Sequence, residues 1–404
     1  MVERLEVEAR EIRPDEIDEM LALRNRIFPH LSREGWEKQE GTCAVALIDG
    51  KIVGAIPLAY RDFLIRPDVV LRAAFEHAVG VREDLRDRGI GSAMLNAAKE
   101  FLKGKVDVLM VYRGAETSIG YNFYAKNLHY DMTYIVPWSL PEPALASHGG
   151  GDCRVTDIDE FLNREEEVLE VFQSAYGGTA GFPRRRSGYY REILFGMIYE
   201  VLPCEFFCIV HPSNGRLDGY LLVGKRTVRD SVSWQALEIA TLNGSHDIAV
   251  QLMNKFKVLV SKDPAPVSFR KQSTSIYAPA LRETGFVQTP RARTSMMVMA
   301  YPLDAESMAR KAWRFNERLS DVEIKAWSPR REVTLFSPAG KVSRNITLEM
   351  KDDTLTRLLL SRLDLEAAVR QELVTAIGAT PDDIREIAKS LPFTPWEYHQ
   401  TDYL

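Results

Sequence analysis

The sequence predicts a mixed α/β protein made of two copies of one unit followed by a smaller α/β domain. Three observations predict it. The first third alternates helix, hairpin, strand, helix, strand, helix, strand; a glycine-rich stretch follows, and the same order then recurs. From about Pro302 the pattern changes. A chain of 404 residues suits two or three domains. The expected boundaries are 1–145, 150–301 and 302–404.

Asp15 to Phe28 is the first expected helix, with Ile17, Met20, Leu21, Leu23 and Ile27 close to helical spacing. Cys43–Ile48 and Ile52–Tyr60 flank Asp49-Gly50, a strong hairpin signal. Leu71 to Val81 reads as one strand. Gly89 to Leu102 is an amphipathic helix carrying Ile90, Ala93, Met94, Ala97, Ala98 and Phe101 on one face, with Gly104 placed to end it. Strand Val106–Tyr112, short helix Tyr121–Asn127 and strand Met132–Leu140 complete the first unit.

Pro141 and Ser147 to Asp152 bracket the linker, rich in residues that punctuate structure. In the second unit, Glu165 to Ala175 is the helix, and Phe206–His211 with Leu217–Lys225 the hairpin about Asn214-Gly215. Strand Val232–Leu242, helix Asp247–Lys257, strand Val267–Lys271, short helix Tyr277–Glu283 and strand Ser295–Tyr301 follow. Asp49 to Gly54 and Asn214 to Gly219 occupy the same place in the two units with similar spelling. The third domain is expected to be a smaller α/β unit containing the segments Val333–Phe336 and Asn345–Met350, the helix Thr354–Arg362 and the segment Leu365–Leu373. Its last residues, from Pro392, include Phe393, Trp396, Tyr398 and Tyr403. Loose tails are poor in aromatics, so this one is expected to dock.

Composition narrows the function classes. Apolar residues make up 45% and charged residues 27%, ordinary for a globular protein. No apolar run approaches the roughly 20 residues of a membrane helix, and the charged start shows no secretory signal. The cytoplasm is the expected compartment. A net charge of −5 speaks against a nucleic-acid partner. Cys204 and Cys208 with His211 lack a second ligand pair at zinc-like spacing, so Cys43, Cys153, Cys204 and Cys208 are expected as small buried hydrophobes. No metal is expected.

The chemistry lies at Arg86-Asp87-Arg88-Gly89-Ile90-Gly91, between a strand and an amphipathic helix. A helix start leaves its first N–H groups without partners, and the helix dipole puts partial positive charge there. Glycines at 89 and 91 clear side chains from those donors, and Arg86 and Arg88 add guanidinium forks for phosphate oxygens. Together they specify a pyrophosphate site. No Gly-Lys-Ser/Thr follows, which excludes the nucleoside-triphosphate loop. Met94 stands where a dinucleotide fingerprint needs a third glycine.

The segment resembles the coenzyme A loop of the GNAT superfamily of N-acetyltransferases, Gln/Arg-x-x-Gly-x-Gly/Ala, matched at Arg86, Gly89 and Gly91. The resemblance implies that the Val79 and Val81 backbone pairs with the pantetheine arm. It also implies that the amides of Arg88, Gly89, Ile90, Gly91 and Ser92 hold the pyrophosphate. Phe123 to Tyr130 looks like the family's later signature, with Tyr124 as the implied general acid; its closing pair is read as His129-Tyr130, one residue late. The whole chain resembles the enhanced intracellular survival branch of that superfamily. That branch implies an active GNAT domain, a degenerate second one and a sterol-carrier-protein-like C-terminal domain. Asn243 to Asp247, with one glycine and no arginine, fits the degenerate copy.

The implied reaction is acetyl transfer from acetyl-CoA to a primary amine of an aminoglycoside-like, polyamine-like or lysine acceptor. The resemblance assigns the base to the carboxylate of Leu404, reaching back to the first domain; Glu76 and His77 are rival bases. His77 is expected to share strand phase with Val79 and Val81. A homo-oligomer, hexameric by the branch, is implied. The competing reading is a carrier that binds acyl-CoA or an apolar ligand without catalysis.

Overall fold

The computed structural model describes residues 6–28, 31–114, 119–141, 149–191, 204–213, 215–228, 231–289 and 296–402. Its centre is one 15-stranded sheet. In the first half, strands Glu8–Glu11, Gly41–Ile48, Lys51–Arg66, Val69–Glu76 and Val108–Gly114 lie side by side in that order. In the second, strands Arg154–Thr156, Cys204–Ser213, Arg216–Val228, Ser231–Thr241 and Val267–Lys271 repeat the arrangement. Both expected hairpins form, and Gly50 and Gly215 turn them at φ 73° and 80°. Asn214 and residues 142–148 of the linker lie outside the described residues.

The halves exchange their last strands. Met296–Pro302 pairs antiparallel with Val108–Gly114 of the first half, on the other side from Val69–Glu76. Tyr130–Leu140 then bridges the halves: Tyr130–Ile135 pairs with Met296–Pro302, and Val136–Leu140 pairs with Val267–Lys271. The sheet therefore runs without a break from one repeat to the next.

Two helices on one face of the first half, Ile90–Phe101 and Ile119–Lys126, close a core with Leu109, Val111, Met297 and Met299. On the opposite face, helix Ile17–Ile27 packs Met20, Leu21 and Leu23 against Cys43, Val45 and Leu47. The C-terminal region covers the rest of that face. Its four-stranded sheet joins Arg331–Phe336, Val322–Ser328, Arg344–Met350 and Val374–Ile377 in that order. Met308, Leu355 and Leu358 share a core with Phe75, Met110 and Val298 of the large sheet. Strand Val322–Ser328 and helices Ala305–Ala312 and Pro381–Ser390 add to the expected elements. Sequence signals for two of them were present: Val322, Ile324 and Ala326 alternate inward, and Thr380 with Asp383 forms a capping box ahead of Pro381.

The aromatic tail docks, as its composition predicted. Glu397 N–H donates to Ala180 O at 2.7 Å, and the Trp396 indole donates to Ile65 O at 3.2 Å. Tyr398 N–H donates to Gln272 Oε1 at 2.8 Å. Cys43, Cys153 and Cys208 are buried and Cys204 half-buried, and burial pushes Cys204 up to about 11. No cluster of metal-ligating side chains exists among the described residues.

Candidate functional site

The site begins where two parallel strands part. Val69–Glu76 and Val108–Gly114 pair only from Ala73 opposite Val108 to Phe75 opposite Met110. Beyond that the ladder stops and leaves a wedge in the sheet. The expected single strand from Leu71 to Val81 is broken here: it ends at Glu76, Ala78 turns into the left-handed region at φ 48°, and Gly80-Val81 pairs again with Gly54 and Ala55. A left-handed non-glycine residue costs roughly 1–2 kcal/mol. His77 and Val79 therefore do not keep one strand phase, contrary to the alternation expected of them.

Against this wedge lies a cavity of about 550 Å³. Of the residues expected to bind cofactor, Val79, Val81, Arg86, Gly89, Ile90, Gly91 and Ser92 all line it. Arg88 is exposed and is not part of the lining. Gly89 precedes the helix at φ 82°, and a Cβ there would meet nothing within 4 Å. A Cβ on Gly91 would stand 3.0 Å from the Phe123 ring. The helix makes its first bond from Ala93 N–H to Gly89 O, so the earlier amides are left for a ligand. Arg86 Nε donates to Val81 O at 3.3 Å and ties the loop to the strand remnant. These features fit a pyrophosphate-bearing ligand.

Tyr124 lines the same cavity, 1% exposed, on the short helix Ile119–Lys126. Arg113, Asn122 and Lys126 line it too and were missed. Arg113 reaches it by lying across Gly120, where any side chain would collide with the guanidinium. The end of the Tyr124 helix corrects the register of the later signature. His129 N–H returns to Tyr124 O at 3.0 Å, and Leu128 stands at φ 67°. In the second half, Phe286 N–H returns to Leu281 O at 2.9 Å, and Gly285 stands at φ 90°. Leu128-His129 thus corresponds to Gly285-Phe286; the closing pair is not His129-Tyr130, and the extra residue disappears. A leucine in the left-handed position had hidden the match.

Behind Tyr124 is a buried hydrogen-bonded group. His129 Nε2 lies 2.8 Å from Glu76 Oε1, and the His129 ring meets Tyr124 edge-on at 5.1 Å. Lys99 donates to Asn127 O at 2.8 Å; burial lowers its ammonium to about 8, against the pull of Glu76. Glu76 is thereby engaged with His129 inside the core. His77 is on the other side of the strand, 2.9 Å from Gln39 Nε2. Burial, helped by the nearby Arg24 and Arg61 charges, pushes its imidazole down to about 3. At neutral pH it is uncharged and too weak to hold a proton taken from an ammonium.

The docked tail ends close to that side. Arg185 Nη1 donates to Asp402 Oδ1 at 2.5 Å and Tyr189 OH donates to the same oxygen at 2.7 Å. Thr401 Oγ1 donates to Glu238 at 2.6 Å. Burial lifts the Asp402 carboxyl to about 6, with the Arg185 guanidinium opposing. Its charge is felt at Arg61 and Tyr112 of the first half. Leu404 lies outside the described residues.

Comparison with known proteins agrees with the geometry. The family model for the acetyltransferase (GNAT) family matches residues 7–130. No curated protein matches the sequence significantly. Three solved structures share the fold over almost the whole chain. A probable N-acyltransferase from Enterococcus faecalis is 13% identical, with 98% of each chain covered and a TM-score of 0.69. A GCN5-related N-acetyltransferase from Anabaena variabilis is 12% identical, covering 97% of this chain and 99% of its own, at 0.68. Eis1 from Mycobacterium abscessus is 13% identical, covering 96% and 97%, at 0.60. Residues 7–130 therefore match the acetyltransferase (GNAT) family, and the chain as a whole shares the overall fold of these three structures.

Proposed function

We propose that the chain moves acetyl from acetyl-CoA to a primary amine by direct attack, with Tyr124 as general acid and the Leu404 carboxylate as base. One observation carries the reading: the helix-start amides, the broken strand at Val79 and Val81, and Tyr124 converge on a single cavity. The amine nitrogen attacks the thioester carbonyl carbon, the C–S bond breaks, and the sulfur leaves with the bonding electrons. A thiolate of pKa about 8.5 accepts a proton from a tyrosine of pKa about 10 when the two are held in contact. Backbone N–H groups beside Ala78, turned by the strand break, supply polarisation of the carbonyl.

An alkylamine of pKa about 10.4 arrives protonated, so a base is needed. A free α-carboxyl near 3.5 is weak, and what supports the reading is that two residues earlier burial lifts the Asp402 carboxyl to about 6. Glu76 and His77 are less suited, the first engaged with His129 and the second too weak a base with its imidazole pushed down to about 3. We extend the proposal to a sterol-carrier-like descent for residues 302–404, a degenerate role for 150–301 and a catalytic one for 1–145. Thiol release from acetyl-CoA across an amine panel tests the reading. Removing Leu404, or adding one glycine after it, should lower kcat by about 10²-fold or more; full activity in both variants sinks the terminal base. Acetyl-CoA binding with no turnover of any amine would favour a carrier.

A further inference from the structure

The sheet face that carries His77 has a second cavity, of about 380 Å³, built jointly by the two halves. One wall is Tyr60–Asp62 of the long strand; the other is Pro183–Tyr189, which pairs with that strand through Phe63 opposite Pro183. The lining is cationic although the chain is net negative at −5. Lys38, Arg61, Arg72 and Arg184 to Arg186 contribute to it against Glu40 and Asp62. Both acids hold Arg72, and Arg185 is held by Glu238 and Asp402. Arg184 and Arg186 form no ion pair among the described residues, and both are exposed residues of the lining.

The cavity is linked to the reaction centre through neighbouring strands. Arg61 is opposite Ala73 in the strand ladder, five residues before Ala78, or roughly 16 Å along a strand. The Arg61 guanidinium still reaches far enough to act on His77. Asp402, where the described tail ends, is bonded to two residues of the cavity wall, Arg185 and Tyr189. A molecule seated there would present one end to the arginines and the other to the wedge between the strands.

Resting on the acetyltransferase reading above, we infer that the amine acceptor carries an anionic group, carboxylate or phosphate, at the far end from its amine, and that Arg184 and Arg186 bind it. A polycation would meet like charge along this wall. The same field favours the free-base form of the acceptor amine, since nearby cations disfavour another. The second half thereby acquires a role in acceptor choice, although it does not form the acetyl-CoA cavity.

The test uses the full chain, acetyl-CoA and four acceptors: 8-aminooctanoate, its methyl amide, an aminoalkyl phosphate of similar length, and spermidine. Turnover is read as thiol release. The anionic amines should exceed the neutral amide in kcat/KM by about tenfold or more, the effect of a 1.4 kcal/mol interaction, and spermidine should rank last. The carboxylate and phosphate arms distinguish which anion fits. In Arg184→Gln/Arg186→Gln, with acetyl-CoA affinity and circular dichroism reporting folding, that preference should fall to within about threefold. Equal or better turnover of spermidine overturns the inference, as does a preference unmoved by the double variant. If no amine is turned over, the acetyl-transfer reading fails and calorimetry with the aminoalkyl phosphate decides the cavity. Binding to the wild type that is lost in the double variant would sustain the anion site, and no binding to the wild type would end it.

Discussion

The two halves of the large sheet begin their matching helices in different ways, and the difference separates a ligand site from a supporting wall. In the first half, Gly89 leads into Ile90–Phe101 with no side-chain cap and open space around it. In the second, Ser245 Oγ accepts from Ile248 N–H at 3.5 Å, and Asn243 N–H donates to Ser174 Oγ at 2.8 Å. Thr241 N–H donates to Tyr277 OH at 2.8 Å. Donors that could face a phosphate are satisfied there by the protein's own hydroxyls. The residue at the end of the short helix differs as well: Tyr124 and Leu281 occupy equivalent places, and Leu281 is a fully buried hydrocarbon. The second half instead supplies a dock for the tail, through Arg185, Tyr189 and Glu238.

The largest expected effect comes from making the first half like the second at that position. Tyr124→Phe keeps the ring and its contacts with Phe123 and His129 but removes the proton donor. Steady-state kinetics should show kcat lower by about 10²–10³-fold. Titration should find acetyl-CoA affinity within about twofold of wild type, because the group acts after binding. An unchanged kcat would erase the distinction between Tyr124 and Leu281.

Much of this site is legible in the sequence because its signals are local. Gly89, Gly91 and Arg86 sit within six residues, and the physics of a helix start needs nothing further away. What stayed hidden depends on backbone that residue type does not announce. Leu71, Ala73 and Phe75 alternate smoothly into His77, and nothing in the pattern marks the left-handed turn at Ala78. Leu128 at φ 67° disguises the correspondence with Gly285 in the same way. Strand exchange is settled by packing between repeats, since Tyr130–Leu140 reads as one ordinary strand whichever half it pairs with. The arginines from 184 to 186 are plain in the sequence, but only the fold shows that they face Tyr60–Asp62.

A smaller effect is expected at the open helix start. Gly91→Ala places a Cβ 3.0 Å from the Phe123 ring, which must swing toward the cavity. Acetyl-CoA dissociation constants from calorimetry should rise about tenfold, equivalent to 1.4 kcal/mol, with kcat at saturation much less altered. The same titration of the wild type should give one acetyl-CoA per chain. Two sites per chain would mean that the Ser245 helix start also binds, and the contrast between the halves would fail.

The smallest effect concerns the tail where it meets the second half. Burial lifts Asp402 to about 6, above the roughly 3.9 of an unfolded aspartate. The folded state therefore binds this proton more tightly than the unfolded one. Its contribution is most stabilising below about pH 4 and is lost as pH rises through 6. Asp402→Asn lacks that titration while keeping an oxygen for Arg185 and Tyr189. Denaturant unfolding from pH 4 to 7 should show the difference between wild type and variant move in the variant's favour by on the order of 1 kcal/mol. The opposite slope would mean that attraction to Arg185 outweighs burial and holds the carboxylate ionised in the fold. The tail would then be fastened by a charge pair throughout, and burial near Asp402 could no longer be used to argue that the Leu404 carboxylate is made basic enough to accept a proton.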